Sequence, residues 1–231
     1  MKIRAAFAKE DEAKFIGHLD LTRVFERAMR RAGIPMAFSE GFNPHPKLAF
    51  GSALALGATS LREYVDIELS LEMLPSEFMH KLQGQLPRGL TLLEAEEIPD
   101  QSRALMAVLN CSGYRVRVPL LLPLAQERVD SVLERFLEQE SIAYVRYSKK
   151  GRQEKNLRPF IRSLKGHVSS EYLELEMEID INEQGSVKPQ ELVGVLREFG
   201  ELPLDVDGIR VHRTGIYIWS EDGIRSPLDK S

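Results

Sequence analysis

Tyr172-Leu173-Glu174-Leu175-Glu176-Met177-Glu178-Ile179-Asp180-Ile181 places five apolar residues in strict alternation with Glu174, Glu176, Glu178 and Asp180. That period of two predicts a strand over 172–181, with one face on a core and the other in water. Sheets wetted on one face are antiparallel as a rule. On the C-terminal side, 188–199 reads as a helix, with Pro189 near its start and Gly200 past its end. One or two closing strands follow in 206–219. On the N-terminal side, 142–147 reads as a strand. A helix is expected over 125–140, with Val129, Val132, Leu133, Phe136 and Leu137 on one face. In 114–120, Val116 and Val118 alternate with Arg115 and Arg117, as in a further strand.

The same order runs through the first hundred residues. Residues 2–9 and 90–98 read as strands, as do 63–69 through Tyr64, Val65, Ile67 and Leu69. Asp20 is expected to cap a helix that Gly33 and Pro35 close. Its apolar stripe is Leu21, Val24, Phe25, Ala28, Met29 and Ala32. A second helix is expected over 75–86. The expected fold is α+β: two tandem ferredoxin-like (βαββαβ) halves with antiparallel sheets, 1–100 and 111–219. Residues 220–231 are polar and expected to fray.

Composition narrows the function. The 231 residues are 43% hydrophobic and 29% charged, with a net charge of −4, ordinary for a globular protein. One cysteine, Cys111, excludes an internal disulfide, a CxxC pair, a cysteine-based zinc site and a self-held iron–sulfur cluster. It is expected to be a small, partly buried side chain and not a nucleophile. No run approaches the ~20 apolar residues that span a bilayer. Charges interrupt the N-terminal apolar run at once, unlike a signal peptide. A cytoplasmic, soluble protein is expected, with no membrane association, cofactor or metal. HExxH, GxxxxGK[ST], GxGxxG and GxSxG are all missing.

Positive charge is concentrated in two places. Arg23, Arg27, Arg30 and Arg31 recur at three- and four-residue spacing, on a face opposite the apolar stripe. Between 146 and 165 stand Arg146, Lys149, Lys150, Arg152, Lys155, Arg158, Arg162 and Lys165 against Glu154 alone. That segment carries +7 in a chain of −4, so the remainder carries −11. Clustered Lys/Arg with Tyr144, Tyr147 and Phe160 nearby suits a polyanion such as RNA. The two patches are expected to join into one track. Solvated helix surface and mobile loop are the plain alternatives.

Between Ser39 and Lys47, Gly41 can take positive φ while Pro44 and Pro46 stiffen the chain around Phe42, Asn43 and His45. The stretch is a binding platform or a connecting loop. His18 and His45 are the candidates for acid–base chemistry, because histidine titrates near neutrality.

Residues 15–23, with Gly17, His18 and Asp20, continue through Arg27 to Ala32. Together with Ser39-Glu40-Gly41-Phe42-Asn43-Pro44-His45-Pro46-Lys47, Ala53-Leu54-Ala55-Leu56-Gly57 and Glu63-Tyr64-Val65-Asp66, they resemble the radical-SAM-linked proteins. That bacterial domain family is fused to, or encoded beside, cobalamin-binding-type radical SAM proteins. Asn156-Leu157-Arg158-Pro159-Phe160-Ile161 resembles a second family motif, with Asn156 where an acid is expected. The resemblance implies a radical SAM protein as partner. Family neighbours among ribosomal-protein and ribonuclease genes imply an RNA setting. A fainter likeness, in element order and the Gly/Pro loop, is to tandem ferredoxin-like CRISPR-RNA endonucleases. The leading expectation is an accessory that binds RNA, or an RNA-containing substrate, for a separate radical SAM enzyme. The alternatives are a metal-independent RNA-processing or RNA-modifying enzyme using His18 or His45, and a structural assembly factor without a ligand.

Overall fold

Lys2–Lys9 (β1) is buried at every position from Ile3 to Lys9, which requires cover on both faces. In the computed structural model, which describes residues 1–148 and 151–229, the chain is mixed α+β with mostly antiparallel strand pairing. It divides into two compact units, Met1–Asn110 with Arg213–Ser231, and Cys111–His212.

In the first unit β1 lies between Thr59–Glu68 (β3) and Leu90–Ile98 (β4), antiparallel to both. Short Leu48–Phe50 (β2) pairs with the far side of β3. His18–Arg31 (α1) and Pro75–Gln83 (α2) cover one face. Leu21, Phe25, Ala28, Met29, Phe78 and Leu82 meet Ile3, Ala5, Phe7, Val65 and Ile67 there. The opposite face of β1 carries Arg4, whose guanidinium reaches the carbonyls of Arg103 and Pro227. Leu105–Val108 (α3) lies against β2 and β3.

α1 begins earlier than Asp20. Gly17 is its N-cap, and Leu21 N–H donates to the Gly17 carbonyl at 2.8 Å. Asp20 falls in the first turn, where a carboxylate suits the positive end of the helix dipole. At the other end Gly33, at φ +64, lets the chain leave the helix.

The polar tail, expected to fray, is described as far as residue 229. Within the first unit, residues 213–220 of Arg210–Ser220 (β10) lie beside β3, and Gly223–Arg225 (β11) folds back on β10. Beyond it Leu228 is buried, and Ser226 hydroxyl is 3.2 Å from Tyr64 hydroxyl.

In the second unit Tyr172–Asp180 (β9) lies between Cys111–Pro119 (β5) and Ile161–Val168 (β8), antiparallel to both. Leu173, Leu175, Met177 and Ile179 are buried, as the alternation requires. The outward acids are matched across the ladder: Glu174 with Arg115 and Arg117, Asp180 with Arg162. Gln126–Leu137 (α4) packs on β8. There Gly166 is needed, because a Cβ would stand 2.9 Å from Val129. Pro189–Gly200 (α5) opens with a capping box, Lys188 N–H donating to Glu191.

One element differs in role. The strand expected over 142–147 is Ala143–Ser148 (β6), which pairs with Gly151–Asn156 (β7) as a separate two-stranded hairpin. The sheet strand preceding β9 is β8.

A candidate ligand cleft and two basic faces

The phase of β1 puts Lys9 on the same side as Ile3, Ala5 and Phe7, which is the side of the apolar core. The phase of β3 likewise puts Glu63 beside Val65 and Ile67, and Phe7 is the cross-strand partner of Glu63. Both are almost wholly buried, Lys9 at 2% and Glu63 at 4% exposure. Glu63 is held by Arg213, itself 3% exposed, whose Nη1 donates to both carboxylate oxygens at 3.0 and 2.9 Å. Lys9 Nζ donates to the Lys14 carbonyl at 3.2 Å. Burial pushes the Lys9 ammonium below its usual pKa, and Arg213 adds to this while Glu63 opposes it.

Lys9 and Glu63 line a cleft together with Phe7, Ile16, Leu21, Phe50, Ser52 and Leu54, and Arg213 backs Glu63 from outside that lining. His18, the first residue of α1, lines it too and meets the Phe50 ring edge-on at 5.7 Å. His18 itself is exposed, and so stands at the rim. His45 is placed differently. Its backbone closes the Gly/Pro loop on Ser39 through a pair of bonds, at 2.8 and 3.0 Å, and it does not line the cleft. Gly41 takes φ +120 in this loop, and Phe42 is fully exposed at its tip. Among the described residues no hydrogen bond or ring contact joins the two histidines. Lys9, Glu63 and Arg213 were not among the expected site residues. The readable signal was a charge in phase with core residues on a strand, at Lys9 and Glu63.

On α1, Arg23 pairs with Asp20 in the open, and Arg30 pairs with the half-buried Glu26. Arg31 donates to the Gln85 carbonyl and side chain beyond α2. Arg27 is exposed and forms no ion pair among the described residues. In the second unit Arg152 pairs with Glu154, and Lys155 is half-buried. Arg158 is held by the carbonyls of Leu137 and Ile161, and Arg162 by both oxygens of Asp180. Lys149 and Lys150 lie outside the described residues. Asn156 Oδ1 accepts from the N–H groups of Ile142 and Arg158, which closes the base of the hairpin. Cys111 is buried, and its thiol is pushed up to about 11 by burial, with Asp180 and Glu178 adding to it. Among the described residues no three His, Cys, Asp or Glu side chains group as metal ligands.

A family model described as an uncharacterised protein conserved in bacteria (DUF2344) matches residues 2–189. The chain belongs to this family. The matched span contains every residue that lines the cleft, while Arg213, which backs Glu63, lies beyond it. No curated protein matches the chain. Among solved structures, it is similar to a chain in the crystal structure of a Cbf5-Nop10-Gar1 complex. The identity is 8% and the TM-score 0.49, covering 92% of this chain and 47% of that one. In this member of the family, Gly17 and His18 bring the start of α1 to the cleft. Ser39, Gly41, Asn43, Pro44 and Pro46 belong to the loop closed by the Ser39–His45 bonds.

Proposed function

We propose that this protein is a binding accessory that holds RNA, or an RNA-containing substrate, for a separate radical SAM enzyme. The observation that carries this reading is the exposed face of α1, where Arg23, Arg27 and Arg30 stand clear of the core. Among the described residues, Asp20 and Glu26 pair with Arg23 and Arg30 on the surface, and such pairs are typically worth about 0.3–0.5 kcal/mol on a helix. A phosphate replaces such a partner with little loss, and the arginine fork suits it geometrically. The family resemblance supplies the radical SAM partner, and a lone thiol suits a reducing cytoplasm. We also infer two tandem ferredoxin-like halves. The strand order β4-β1-β3-β2 is that of βαββαβ, and β5, β9 and β8 follow the same pattern.

Single-stranded RNA binding is measured against salt for the wild type and for Arg23→Gln/Arg27→Gln/Arg30→Gln. Three lost phosphate contacts reduce the slope of log K against log salt by about 2. Equal slopes would remove α1 as the RNA face. Anaerobic pull-down from the native host tests the partnership, and recovery of no radical SAM protein would count against it. An enzymatic reading finds support only at His18, which edges a cleft with a buried lysine. There, His18→Ala is expected to abolish any RNA cleavage or modification, while His45→Ala leaves it intact.

A further inference from the structure

The cleft is lined by one ammonium, Lys9, and one carboxylate, Glu63, and the carboxylate is already engaged from behind. Glu63 is taken on both oxygens by Arg213, and Lys9 forms no ion pair of its own among the described residues. A side chain this buried normally finds a counter-charge, since an isolated ammonium away from water is costly. Lysine also has three N–H donors. One is used on the Lys14 carbonyl, and no other hydrogen bond to Nζ occurs among the described residues. The free volume above these groups is about 10 Å³, room for one water-sized group.

We propose that the cleft binds a carboxylate, one oxygen of which enters to meet the Lys9 ammonium while the rest of the ligand remains at the rim by His18. A buried ammonium whose neighbouring carboxylate is already taken on both oxygens selects an anion. The narrow space selects a flat head that can insert a single oxygen over a tetrahedral phosphate. Its surroundings favour an apolar body behind that head. Phe15 and Leu19 bracket the lining residues Ile16 and His18, and Leu56 follows Leu54. They are 66%, 75% and 68% exposed respectively. The site is separate from the arginine face of α1, and its success or failure leaves the RNA reading untouched.

The test uses the full chain and sodium acetate as probe, at constant ionic strength, with the Lys9 ε-methylene followed by NMR. Acetate is expected to shift that resonance saturably, with an affinity on the order of millimolar, as suits so small a ligand. Butyrate should bind more tightly, by up to about fourfold for each methylene it buries. Lys9→Met is expected to lose the acetate effect on melting temperature. Leu54→Trp keeps the lysine but fills the wall, and should block the shift of the ε-methylene. No shift at high acetate, or an equal rise in melting temperature in Lys9→Met, would mean that water alone satisfies the lysine and would overturn the proposal. Inorganic phosphate competing as well as acetate would overturn the choice of a flat carboxylate.

Discussion

Two buried arginine–carboxylate pairs flank the same strand, and they are not equivalent. Asp66 takes Arg4 through two parallel bonds at 2.7 and 2.9 Å, and Arg4 spreads its remaining donors over the carbonyls of Pro227 and Arg103. Lys2 approaches Asp66 at 3.4 Å, from a side chain that is partly open. That site is closed and saturated. Three residues away, Glu63 answers Arg213 but leaves Lys9 beside it without a pair. Both sites have more cations than carboxylates, but only at Glu63 is the extra cation sealed inside. A buried ion pair is weak evidence of stability and, when saturated, a sound device for fixing register. An unsaturated one points toward a ligand.

The largest test of this contrast removes each carboxylate in turn. Glu63→Gln is expected to cost about 3–5 kcal/mol, the range for leaving a buried charge uncompensated. Asp66→Asn should cost less, because Arg4 keeps two carbonyl acceptors and Lys2 can turn to water. Urea denaturation of both variants settles the order, and a greater loss for Asp66→Asn would break the comparison.

Replacing Lys9 should act in the opposite sense. Lys9→Met keeps the volume and deletes the surplus charge, so it should raise stability by about 1 kcal/mol or more. Its advantage depends on pH in a definite direction. The Lys9 pKa is lowered in the folded state, so the penalty on the wild type is fully present below that value. It is relieved as pH rises through it toward the unfolded value near 10.5. Denaturation at successive pH values should show the two proteins converging in alkali. A constant gap would mean that Lys9 is not the group titrating.

The smallest effect sets the scale. Glu26→Gln removes the half-buried surface partner of Arg30 and is expected to change stability by only about 0.3–0.5 kcal/mol. A much larger loss would show that the α1 face is structural and not a surface open to phosphate.

The alternation in 173–179 and the in-phase stripe of α1 were legible because burial imposes a period. The bounds of β4 follow for the same reason. β8 was not legible. Arg162, Lys165, Gly166 and His167 interrupt its apolar run, and the acid that matches Arg162 lies on the neighbouring strand. β6 carries a strand pattern whether it joins a sheet or a hairpin, so its partner could not be read. Arg158 and Arg162 looked like surface charge, yet carbonyls and Asp180 hold them. Charge in a sequence gives no account of its partners. The arginines of α1 stayed exposed because the apolar stripe fixed which way the helix faced.

The grouping of residues 213–228 with the first unit has a consequence during synthesis. The chain interrupts that unit to make the second, and Arg213 follows Glu63 by 150 positions. On a ribosome elongating at roughly 5–20 residues per second, Glu63 waits for its guanidinium for several seconds at least. During that interval Lys9 is the cation built into the neighbouring strand. The early half-built cleft holds Lys9 and Glu63 one to one, and Glu63 is drawn to a second cation only when β10 docks.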